Sequence, residues 1–497
     1  MFSLANRPYS THNGCHGYIY MKSVSILLVS FVLVPFCSAE TWVVDRNGKA
    51  DFISIQEAIH FSSNGDFIIV HEGVYEEQID FLGKEITVEG ASRESTIING
   101  NGMLGSVVTF KTGETDSSVL SKFTITGGTG NFWTDPVFGQ QRCGGGIYCE
   151  NSSPFIQLCD VIKNTSWGGA GIFATNGSPS IFFSSVTYNY AEGHGGGAYL
   201  VDQVHSDIDS CIFAENTASW GGGLSCSTTS DPLILNCIFD RNTTMNVGGG
   251  MFIRSQSSPI VMASEFTDNT QISNPLGSGG GVCIYGGGST GGPCYPTFQF
   301  CAFEGNSVQG DGGGMAAAYD AHPKILDCHF AFNQAGRSGG GLACVADQDH
   351  IYPSNADVDD VSFEFNHADE QGGGIHVRNS DPFLDHIEVH SNEAGIAGGG
   401  LNFFESSLSR VLNSVICGNS EIQINGTYSD GGNNTISDMC SSCEGDVNED
   451  GQVNVTDVLA VVGTWGPCTG DCNGDIDGSG VVDVTDLLII VGNWGPC

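Results

Sequence analysis

A repeated glycine cluster constrains the fold of this chain more than any other feature of its sequence. From residue 144 onward, a cluster of glycines followed by an apolar residue recurs at steps of 25, 26, 26, 27, 31, 33, 27, 33 and 26 residues. An apolar-x-x-Asn motif keeps the same period. Two markers that share one period, with occasional insertions, indicate one structural unit stacked along an axis. The apolar residues that follow the glycines are Ile147, Ile172, Ala198, Leu224, Met251, Val282, Met315, Leu342, Ile375 and Leu401.

The side chains around each marker predict short strands rather than helices. The residue two positions after every marker is also apolar, so both positions face inward and the residue between them faces outward. A repeat of this length with strand periodicity predicts an all-β solenoid, a right-handed parallel β-helix of about 12–14 coils. Stacked asparagine amides are expected to hydrogen-bond along its axis. The asparagines are Asn164, Asn189, Asn216, Asn242, Asn269, Asn306, Asn333, Asn366, Asn392 and Asn419.

Over roughly residues 41–436 these motifs resemble the pectin-lyase-like superfamily of parallel β-helices. The GGG-apolar and Phe-x-x-Asn repeats are also similar to those of the chlamydial polymorphic outer-membrane proteins. The resemblance implies a β-helix. It leaves the activity open, because the superfamily includes lyases, hydrolases, epimerases and adhesins without catalytic activity.

The N-terminal region indicates export. Met21 and Lys22 precede an apolar run from Ser25 to Phe36, a pattern typical of a secretory signal peptide. We therefore predict a leader over residues 1–39 with its true start at Met21, and a secreted, extracellular or surface-associated product. Residues 40–130 are predicted to form an N-terminal cap and the first coils, with a short amphipathic helix from Ser54 to Phe61. The repeat coils span 131–436 and a linker spans 437–442.

Charge and apolar runs exclude two classes of partner. With 16 basic against 56 acidic residues, the formal net charge is -40, which disfavours nucleic acid and anionic membrane surfaces. Beyond the leader, no apolar run approaches the ~20 residues needed for membrane insertion. The cysteines left after removal of the leader are odd in number, so at least one is expected to be free or paired outside the chain.

A column of small residues lies five positions before the asparagines, and core packing is favoured over metal binding for it. Cys211 with Cys237, and Cys301 with Cys328, fall on adjacent coils and could oxidise. The column comprises Cys159, Ser184, Cys211, Cys237, Ser264, Cys301 and Cys328.

The C-terminal segment, residues 443–497, predicts two calcium loops that are 29 residues apart. Oxygen donors stand at loop positions one, three, five, nine and twelve, with glycine at six and a backbone carbonyl at seven, which is EF-hand spacing. Each loop precedes one apolar helix, Val458–Val462 or Leu487–Val491. The predicted ligands of Ca²⁺ are Asp446, Asn448, Asp450, Gln452, Asn454 and Asp457 in the first loop, and Asp475, Asp477, Ser479, Val481, Asp483 and Asp486 in the second.

The cysteines of this segment repeat at the same offset as the loops. They predict disulfides Cys443–Cys468 and Cys472–Cys497, each closing one repeat. The duplicated loop and helix resemble a type I dockerin, which implies docking to a cohesin-like domain on a scaffold or surface. That resemblance places partner-binding residues at loop positions ten and eleven. These are Val455, Thr456, Val484 and Thr485, which depart from the Ser-Thr pair of the family.

Two groups on the coils are candidates for carbohydrate chemistry. In the first half, outward Tyr148, Phe173, Tyr199 and Phe252 form a column, predicted either to stack on sugar faces or to be covered by a neighbouring loop. Trp167, His194 and Trp220 stand directly before glycine clusters and are expected to shield the turns. Gly193-His194-Gly195 resembles one element of polygalacturonases, but the paired aspartates that should precede it are missing.

In the second half, Asp320 and Asp347 occupy one position on successive coils, and the next coil offers His376 and Arg378 outward. Two carboxylates one coil apart could act as acid and base in glycoside hydrolysis. Alternatively, they could hold calcium against a uronate while Arg378 removes a proton. A solvated edge on a protein with 56 acidic residues is the favoured interpretation of these side chains.

Two functions follow from these patterns. The first is a secreted protein that binds or processes polysaccharide, as a glycoside hydrolase or a polysaccharide lyase, and is anchored by a calcium-dependent dockerin. The alternative is an extracellular adhesin or structural rod without catalytic activity that carries the same docking module.

Overall fold

The computed structural model describes residues 39–287, 291–346, 352–405, 408–440, 445–448, 452–468 and 472–496. Most of this chain winds into coils of short parallel strands, and each coil hydrogen-bonds to the next in register. The markers stack directly above one another, since Ile147 pairs with Ile172, Ile172 with Ala198 and Ala198 with Leu224. The predicted parallel β-helix is therefore confirmed as an all-β solenoid.

The strands that follow the glycine clusters form sheet 1, with 13 strands in the described part of the chain. That number agrees with the predicted count of coils. Its strands are Ile79–Asp80, Val108–Phe110, Ile147–Glu150, Ile172–Thr175, Ala198–Val201, Leu224–Ser227, Met251–Arg254, Val282–Tyr285, Met315–Ala318, Leu342–Val345, Ile375–Arg378, Leu401–Phe404 and Ile424–Gly426.

Sheet 2 consists of two columns of strands that meet at a bend. Strands Asp357–Glu364 and Phe383–His390 run through the bend and join the columns. The first column contains Thr41–Val44, Phe67–Val70, Thr87–Gly90, Val119–Ser121, Phe155–Gln157, Ser180–Phe182, Asp207–Asp209, Leu233–Leu235, Ile260–Met262, Thr297–Gln299, Lys324–Leu326, Arg410–Leu412 and Ser429–Gly432. The second contains Gly73–Tyr75, Thr96–Asn99, Thr124–Thr126, Asp160–Ile162, Ser185–Thr187, Ile212–Ala214, Ile238–Asp240, Glu265–Thr267, Ala302–Glu304, His329–Ala331, Val415–Cys417 and Thr435–Ser437.

Sheet 3 follows the asparagines and leads into the glycine clusters. Its strands are Thr165–Ser166, Tyr190–Ala191, Thr217–Trp220, Thr243–Val247, Thr270–Gln271, Ser307–Val308, Gln334–Ala335, His367–Ala368 and Glu393–Ala394. At the corner between sheets 3 and 1, the first or second glycine of each cluster adopts positive φ, for example 61° at Gly195. The next glycine has no room for a side chain, because a Cβ on Gly196 would lie 2.5 Å from the Gly222 carbonyl oxygen.

Two further corners in each coil have positive φ, and on most coils the residue there is not glycine. The first corner, at the bend of sheet 2, is formed by Leu158, Phe183, Ser210, Asn236, Ala263, Phe300, Asp327, Asp360, His386 and Asn413. The second corner, directly before the asparagines, is formed by Lys163, Tyr188, Glu215, Arg241, Asp268, Gly305, Phe332, Phe365, Ser391 and Gly418. The sequence analysis did not predict these corners, because most of these residue types rarely adopt positive φ.

The asparagine ladder is present as predicted, and it stabilises the second corner. Asn216 is fully buried and donates from Nδ2 to the Val186 carbonyl oxygen at 2.8 Å and to Asn242 Oδ1 at 3.1 Å. Its own Oδ1 accepts from the backbone and side-chain nitrogens of Asn189, at 3.0 Å each. The same pattern recurs from Asn164 to Asn392, so each amide links three successive coils.

The interior is packed with phenylalanine rings that stack at the spacing of the coils. Phe213, Phe239, Phe266, Phe303, Phe330 and Phe363 form one continuous column with centroid separations between 4.4 and 5.1 Å. The small residues at the first corner also face inward, and Ser264 Oγ accepts the Cys237 backbone N–H at 3.1 Å. Cys211, Cys237, Cys301 and Cys328 are buried free thiols, so the packing interpretation of this column is confirmed.

The N-terminal end is capped by the predicted helix, Ile55–Phe61, whose N-cap Ser54 accepts the Glu57 backbone N–H. Ile55, Ala58 and Ile59 are buried against the first strands. A β-hairpin formed by Asn131–Asp135 and Gly139–Cys143 leaves the solenoid before the first glycine marker. The described residues contain no helix long and apolar enough to cross a membrane.

The C-terminal segment contains helices Val455–Gly463 and Val484–Gly492, each beginning at a capping box. The two predicted apolar helices are confirmed, and each is longer in the structure than the predicted range. Short strands pair across the two repeats, Gln452–Val453 with Gly495–Pro496 and Gly466–Pro467 with Val481–Val482. Both repeats contribute to one small core.

Candidate functional site

A trough on the outer face of sheet 1 is the main candidate for a functional site. On two successive coils the outward positions hold Ala316, Ala318, Ala343 and Val345, which are among the smallest side chains at these positions. The resulting space has a volume of about 480 Å³. It is lined by Val247, Leu276, Ser278, Cys283, Tyr285, Asp311, Ala318, Tyr319, Arg337, Val345, Ala346, Arg378, Asn379, Phe404 and Glu405.

Two tyrosines form one wall of the trough. The rings of Tyr285 and Tyr319 stack with centroids 4.5 Å apart. Burial, together with the neighbouring Tyr319, raises the pKa of Tyr285 to about 12, so its hydroxyl stays protonated and can donate a hydrogen bond. The wall thus offers both an apolar ring surface and a polar edge.

A buried carboxyl group lies at the corner of the trough. Asp311 is 5% exposed; its Oδ1 accepts the Ser338 backbone N–H at 3.2 Å and its Oδ2 lies 3.5 Å from Arg337 Nη1. Burial raises the pKa of Asp311, and the positive charges of Arg337 and Arg378 oppose part of that rise. Asp311 therefore keeps its proton to a higher pH than an ordinary aspartate.

Arg378 supplies a guanidinium group that is available to a ligand. It is partly exposed at the end of strand Ile375–Arg378. Among the described residues its guanidinium has no hydrogen bond and no ion pair. Because its planar donors match a carboxylate, this group is suited to bind an acidic sugar. The prediction that Arg378 faces outward is consistent with this geometry.

His376 was predicted to be an outward catalytic residue; the structure places it on the outer face of sheet 1 but buries its side chain. Its side chain is 3% exposed, and Nδ1 lies 3.0 Å from Asn402 Nδ2, which also donates to Gln371 Oε1. Burial lowers the pKa of His376 to about 3, so the ring is neutral at ordinary pH. The period-2 rule places it on the outer face correctly but does not show what covers that face.

Of the predicted carboxylate pair, the structure describes only Asp320. Asp320 lies at a positive φ of 75° and its Oδ1 is 3.0 Å from His322 Nε2. Asp320 does not line the trough, although its neighbour Tyr319 does. Asp347 lies outside the described residues, so the pairing of these two carboxylates stays a prediction.

Asp311 and Arg337 were missed by the sequence analysis. The signal was present, because Asp311 stands directly before a glycine cluster, as do His194 and Trp220 on earlier coils. The residue directly before the glycine cluster is Asp311 on a coil in the second half of the chain. On the next coil, Arg337 lies one residue before the equivalent position.

The predicted aromatic platform of the first half is covered, which decides between its two interpretations. Tyr148, Phe173, Tyr199 and Phe252 are between 0% and 4% exposed. The hairpin folds over the first three, and its Trp133 ring lies 5.2 Å from that of Phe173. The ring of Phe252 instead stacks on that of His194, with 6.2 Å between centroids. Phe138 at the hairpin tip packs on Trp167, with 5.3 Å between centroids. These four residues are therefore not available as a sugar platform in this arrangement.

Two groups of the described residues bring three possible metal ligands within 4.8 Å of one another. Asp359, Asp385 and His386 form one group at the first corner, where His386 Nδ1 is ion-paired with both carboxylates. Asp475, Asp477 and Asp486 form the other group, and all three were predicted as calcium ligands.

The second calcium loop is held in place by its last carboxylate. Asp486 is fully buried; its Oδ1 accepts the backbone N–H groups of Ile476 and Asp477 at 2.7 and 3.2 Å, and its Oδ2 accepts that of Asp483 at 2.8 Å. Burial opposes ionisation, but these bonds outweigh it and lower the pKa of Asp486. The carboxylate donors fit a hard cation such as Ca²⁺.

The first loop repeats this arrangement. Asp457 is fully buried and accepts the backbone N–H groups of Val447, Asn448 and Asn454 at 2.8–3.2 Å. Asp450 lies outside the described residues. Calcium binding by either loop stays a prediction.

The predicted disulfides of this segment are wrong. Cys468 is bonded to Cys472, four residues away, which excludes both Cys443–Cys468 and Cys472–Cys497. Cys443 and Cys497 lie outside the described residues. The reason is the strand pairing between repeats, which turns the end of the first repeat toward the second loop. A further disulfide, Cys417–Cys440, was not predicted.

The predicted docking residues lie at the exposed beginnings of the two helices. Val455 is 58% and Val484 is 60% exposed, and Thr456 and Thr485 are exposed beside them. Further apolar side chains are exposed along both helices, at equivalent positions in the two repeats. The exposed residues are Val455, Leu459, Val462 and Trp465 in the first repeat, and Val484, Leu488, Val491 and Trp494 in the second.

Residues 114–303 match a family model described as a right-handed beta helix region, which agrees with the handedness predicted from the repeat. No curated protein is significantly similar to the chain in sequence. Among solved structures, the chain is similar to a pectin methylesterase from carrot (16% identity, 52% of this chain and 82% of that chain, TM-score 0.29). It is also similar to an endo-xylogalacturonan hydrolase from Aspergillus tubingensis (13%, 81% and 95%, 0.31) and to a mannuronic acid specific polysaccharide family 6 lyase from human gut microbiota (12%, 79% and 81%, 0.34).

Proposed function

We propose that this protein binds and processes an acidic polysaccharide in the trough of sheet 1. The observation that carries the proposal is the guanidinium of Arg378, which is without an ion pair among the described residues, beside the ion pair of Asp311 and Arg337. The chain has few cations, so two arginines in one cavity are a local exception to its charge of -40. An uronate carboxylate is a natural partner for Arg378.

The residues of the trough have distinct roles in this proposal. Arg378 binds the sugar carboxylate, and the Tyr285 and Tyr319 rings contact the apolar face of a neighbouring sugar. Asp311, with its raised pKa, transfers the proton. In a lyase, the ionised Asp311 takes the C5 proton of the uronate, the C4–O bond breaks, a C4=C5 double bond forms and the leaving oxygen takes a proton from the solvent. In a hydrolase, water supplies the hydroxyl and the leaving oxygen takes a proton.

The proposal is tested by incubating residues 40–497 with uronic and neutral polysaccharides, measuring new reducing ends and the absorbance of unsaturated products. Reducing ends alone indicate a hydrolase, and both signals indicate a lyase. Arg378→Gln and Asp311→Asn should each reduce turnover at least about tenfold. Arg410→Gln, an exposed arginine outside the trough, is the matched control. No product from any polysaccharide would favour the rod without catalytic activity.

The C-terminal segment is proposed to be a calcium-dependent docking module of a secreted protein. Support comes from the convergent carboxylates of the second loop and from the equivalent apolar exposure of the two helices. An exposed apolar stripe on a helix is typical of a surface that docks into a partner groove. Leu459→Asp combined with Leu488→Asp should abolish capture by a cohesin-like domain while leaving turnover unchanged.

A further inference from the structure

Two phenylalanines, one exposed and one half-buried, form a ridge at the second corner, away from the residues that line the trough. Phe332 and Phe365 lie on successive coils with parallel rings, 5.1 Å between centroids and 4° between planes. Phe332 is 59% exposed. We call this pair the aromatic ridge.

The backbone at the ridge does not require phenylalanine. Phe332 has φ of 56° and Phe365 has φ of 52°, values that bulky residues rarely adopt. Gly305 and Gly418 occupy the equivalent position on other coils, so the fold accepts glycine there. An apolar ring that the corner does not need, and that is exposed to water, is open to a role in binding.

The surroundings of the ridge leave one ring open. Gly305 precedes Phe332 at this corner, and the Asp268 carboxylate lies beside it, where a side chain on Gly305 would be. On the other side, the ring of His390 meets Phe365 edge-on, with 6.2 Å between centroids. Phe332 is nevertheless 59% exposed, so a flat ligand can reach its ring.

Hydrogen-bonding groups flank the ridge on both sides. On the side of sheet 2, Glu364 Oε1 lies 3.5 Å from His390 Nε2. On the side of sheet 3, His367 lies between two carboxylates, 3.3 Å from Glu393 and 3.1 Å from Asp369. A sugar ring has an apolar face and a rim of hydroxyl groups. The phenylalanine rings can stack on that face, and the carboxylates beside them can accept hydrogen bonds from the hydroxyls.

We propose that the aromatic ridge, with Glu364 and His367 beside it, is a second carbohydrate site that binds a neutral polysaccharide. The carboxylates around it repel an acidic glycan, so its ligand differs in charge from that of the trough. The site goes beyond the proposed function because it needs neither Arg378 nor Asp311. It holds the protein on a neutral chain by stacking and hydrogen bonds.

The test is affinity electrophoresis of the full chain in gels containing hydroxyethylcellulose, xyloglucan or laminarin, compared with polygalacturonate. Phe332→Gly and Phe365→Gly should weaken retardation by a neutral polysaccharide about tenfold, because each removes a stacking surface. Glycine is already found at this corner, so both variants should keep the melting temperature within a few degrees.

The matched control is Phe300→Gly. Phe300 is 57% exposed at φ of 54°, and among the described residues its ring stacks on no other ring. The Phe300→Gly variant should bind neutral polysaccharide as the wild type does. Arg378→Gln should do so too, and this result would separate the ridge from the trough. Three results would overturn the proposal: no retardation of the wild type, an equal loss in Phe300→Gly, or a dimer in sedimentation that Phe332→Gly dissolves.

Discussion

At the scale of single residues, each coil balances unfavourable corners against buried hydrogen bonds. A residue other than glycine at positive φ costs about 1–2 kcal/mol, and most coils contain at least three such residues. The asparagine that follows the second corner is fully satisfied by its neighbours, for example Asn216 between Asn189 and Asn242. The ladder therefore fixes the corners that the sequence alone disfavours.

Asn216→Ala should destabilise the solenoid by about 3 kcal/mol, because it leaves buried backbone and side-chain groups on both adjacent coils without partners. Chemical denaturation measures the change. Asn101→Ala, at an exposed position, should have little effect. Equal stability of the two variants would show that the ladder does not hold the coils together.

Glu114 should make stability depend on pH. It is 2% exposed; burial opposes its ionisation, but bonds from Thr112, Gly83 and Ser152 outweigh this and lower its pKa. Its contribution is therefore fully present above the unfolded pKa of about 4.3 and is lost as pH falls through the lower folded value. Glu114→Gln should cost about 2 kcal/mol at pH 7 and progressively less below pH 4. A constant difference between pH 7 and pH 3 would contradict the assignment.

Residue patterns predicted the inward and outward positions but not what covers the outward ones. The asparagine column was predicted because one residue type recurs at one period. His376 and the column from Tyr148 to Phe252 were correctly placed on the outer face of sheet 1, yet they are buried. The cover comes from side chains and a hairpin that are remote in the repeat, and no periodicity records such contacts.

At the scale of elements, the hairpin from Asn131 to Cys143 acts as a cover for the aromatic column. Trp133 anchors it against Phe173 and Tyr199. Trp133→Ala should cost about 3 kcal/mol and loosen the hairpin. Arg142, which lies over the Phe132 ring and donates to the Gly130 carbonyl oxygen, should then be cleaved faster by trypsin. Unchanged cleavage after Arg142 would mean that Trp133 does not anchor the hairpin.

The calcium loops are a second test at this scale. Saturating Ca²⁺, at a hundred times its dissociation constant, should stabilise the C-terminal segment by about 2.7 kcal/mol, and a chelator should remove the gain. Asp477→Ala should reduce the gain, whereas Asp438→Ala, an exposed acid outside the loops, should not. Calorimetry with and without Ca²⁺ measures both. A segment that melts identically in chelator would refute the calcium assignment.

Sequence spacing predicted the two C-terminal helices but gave the wrong disulfides. Each repeat was treated as a closed unit because its cysteines bracket one loop and one helix. The structure instead pairs Gly466–Pro467 with Val481–Val482, across the repeats, and this brings Cys468 to Cys472. Such pairing depends on contacts between repeats, which the offset of 29 residues does not encode.

At the scale of the whole molecule, one repeated coil supports surfaces of different chemistry. Sheet 1 carries the trough where the outward residues shrink to alanine, and the second corner carries the aromatic ridge. Each surface arises from substitutions at positions that the coil leaves free. The fold was predictable because the inward positions repeat, whereas the trough was only partly predictable because Asp311 and Arg337 break the repeat.

The most direct test of the account is titration calorimetry of the protein with an oligogalacturonate and with an uncharged oligosaccharide of equal length, in low and high salt. The account predicts that the wild type binds the acidic ligand and that Arg378→Gln binds it at least about tenfold more weakly. It also predicts that high salt weakens the binding of the acidic ligand by the wild type. The binding of the acidic ligand by Arg378→Gln, and the binding of the uncharged ligand by either protein, should change little with salt. Equal affinity of the wild type and Arg378→Gln for the oligogalacturonate would contradict the assignment of the trough.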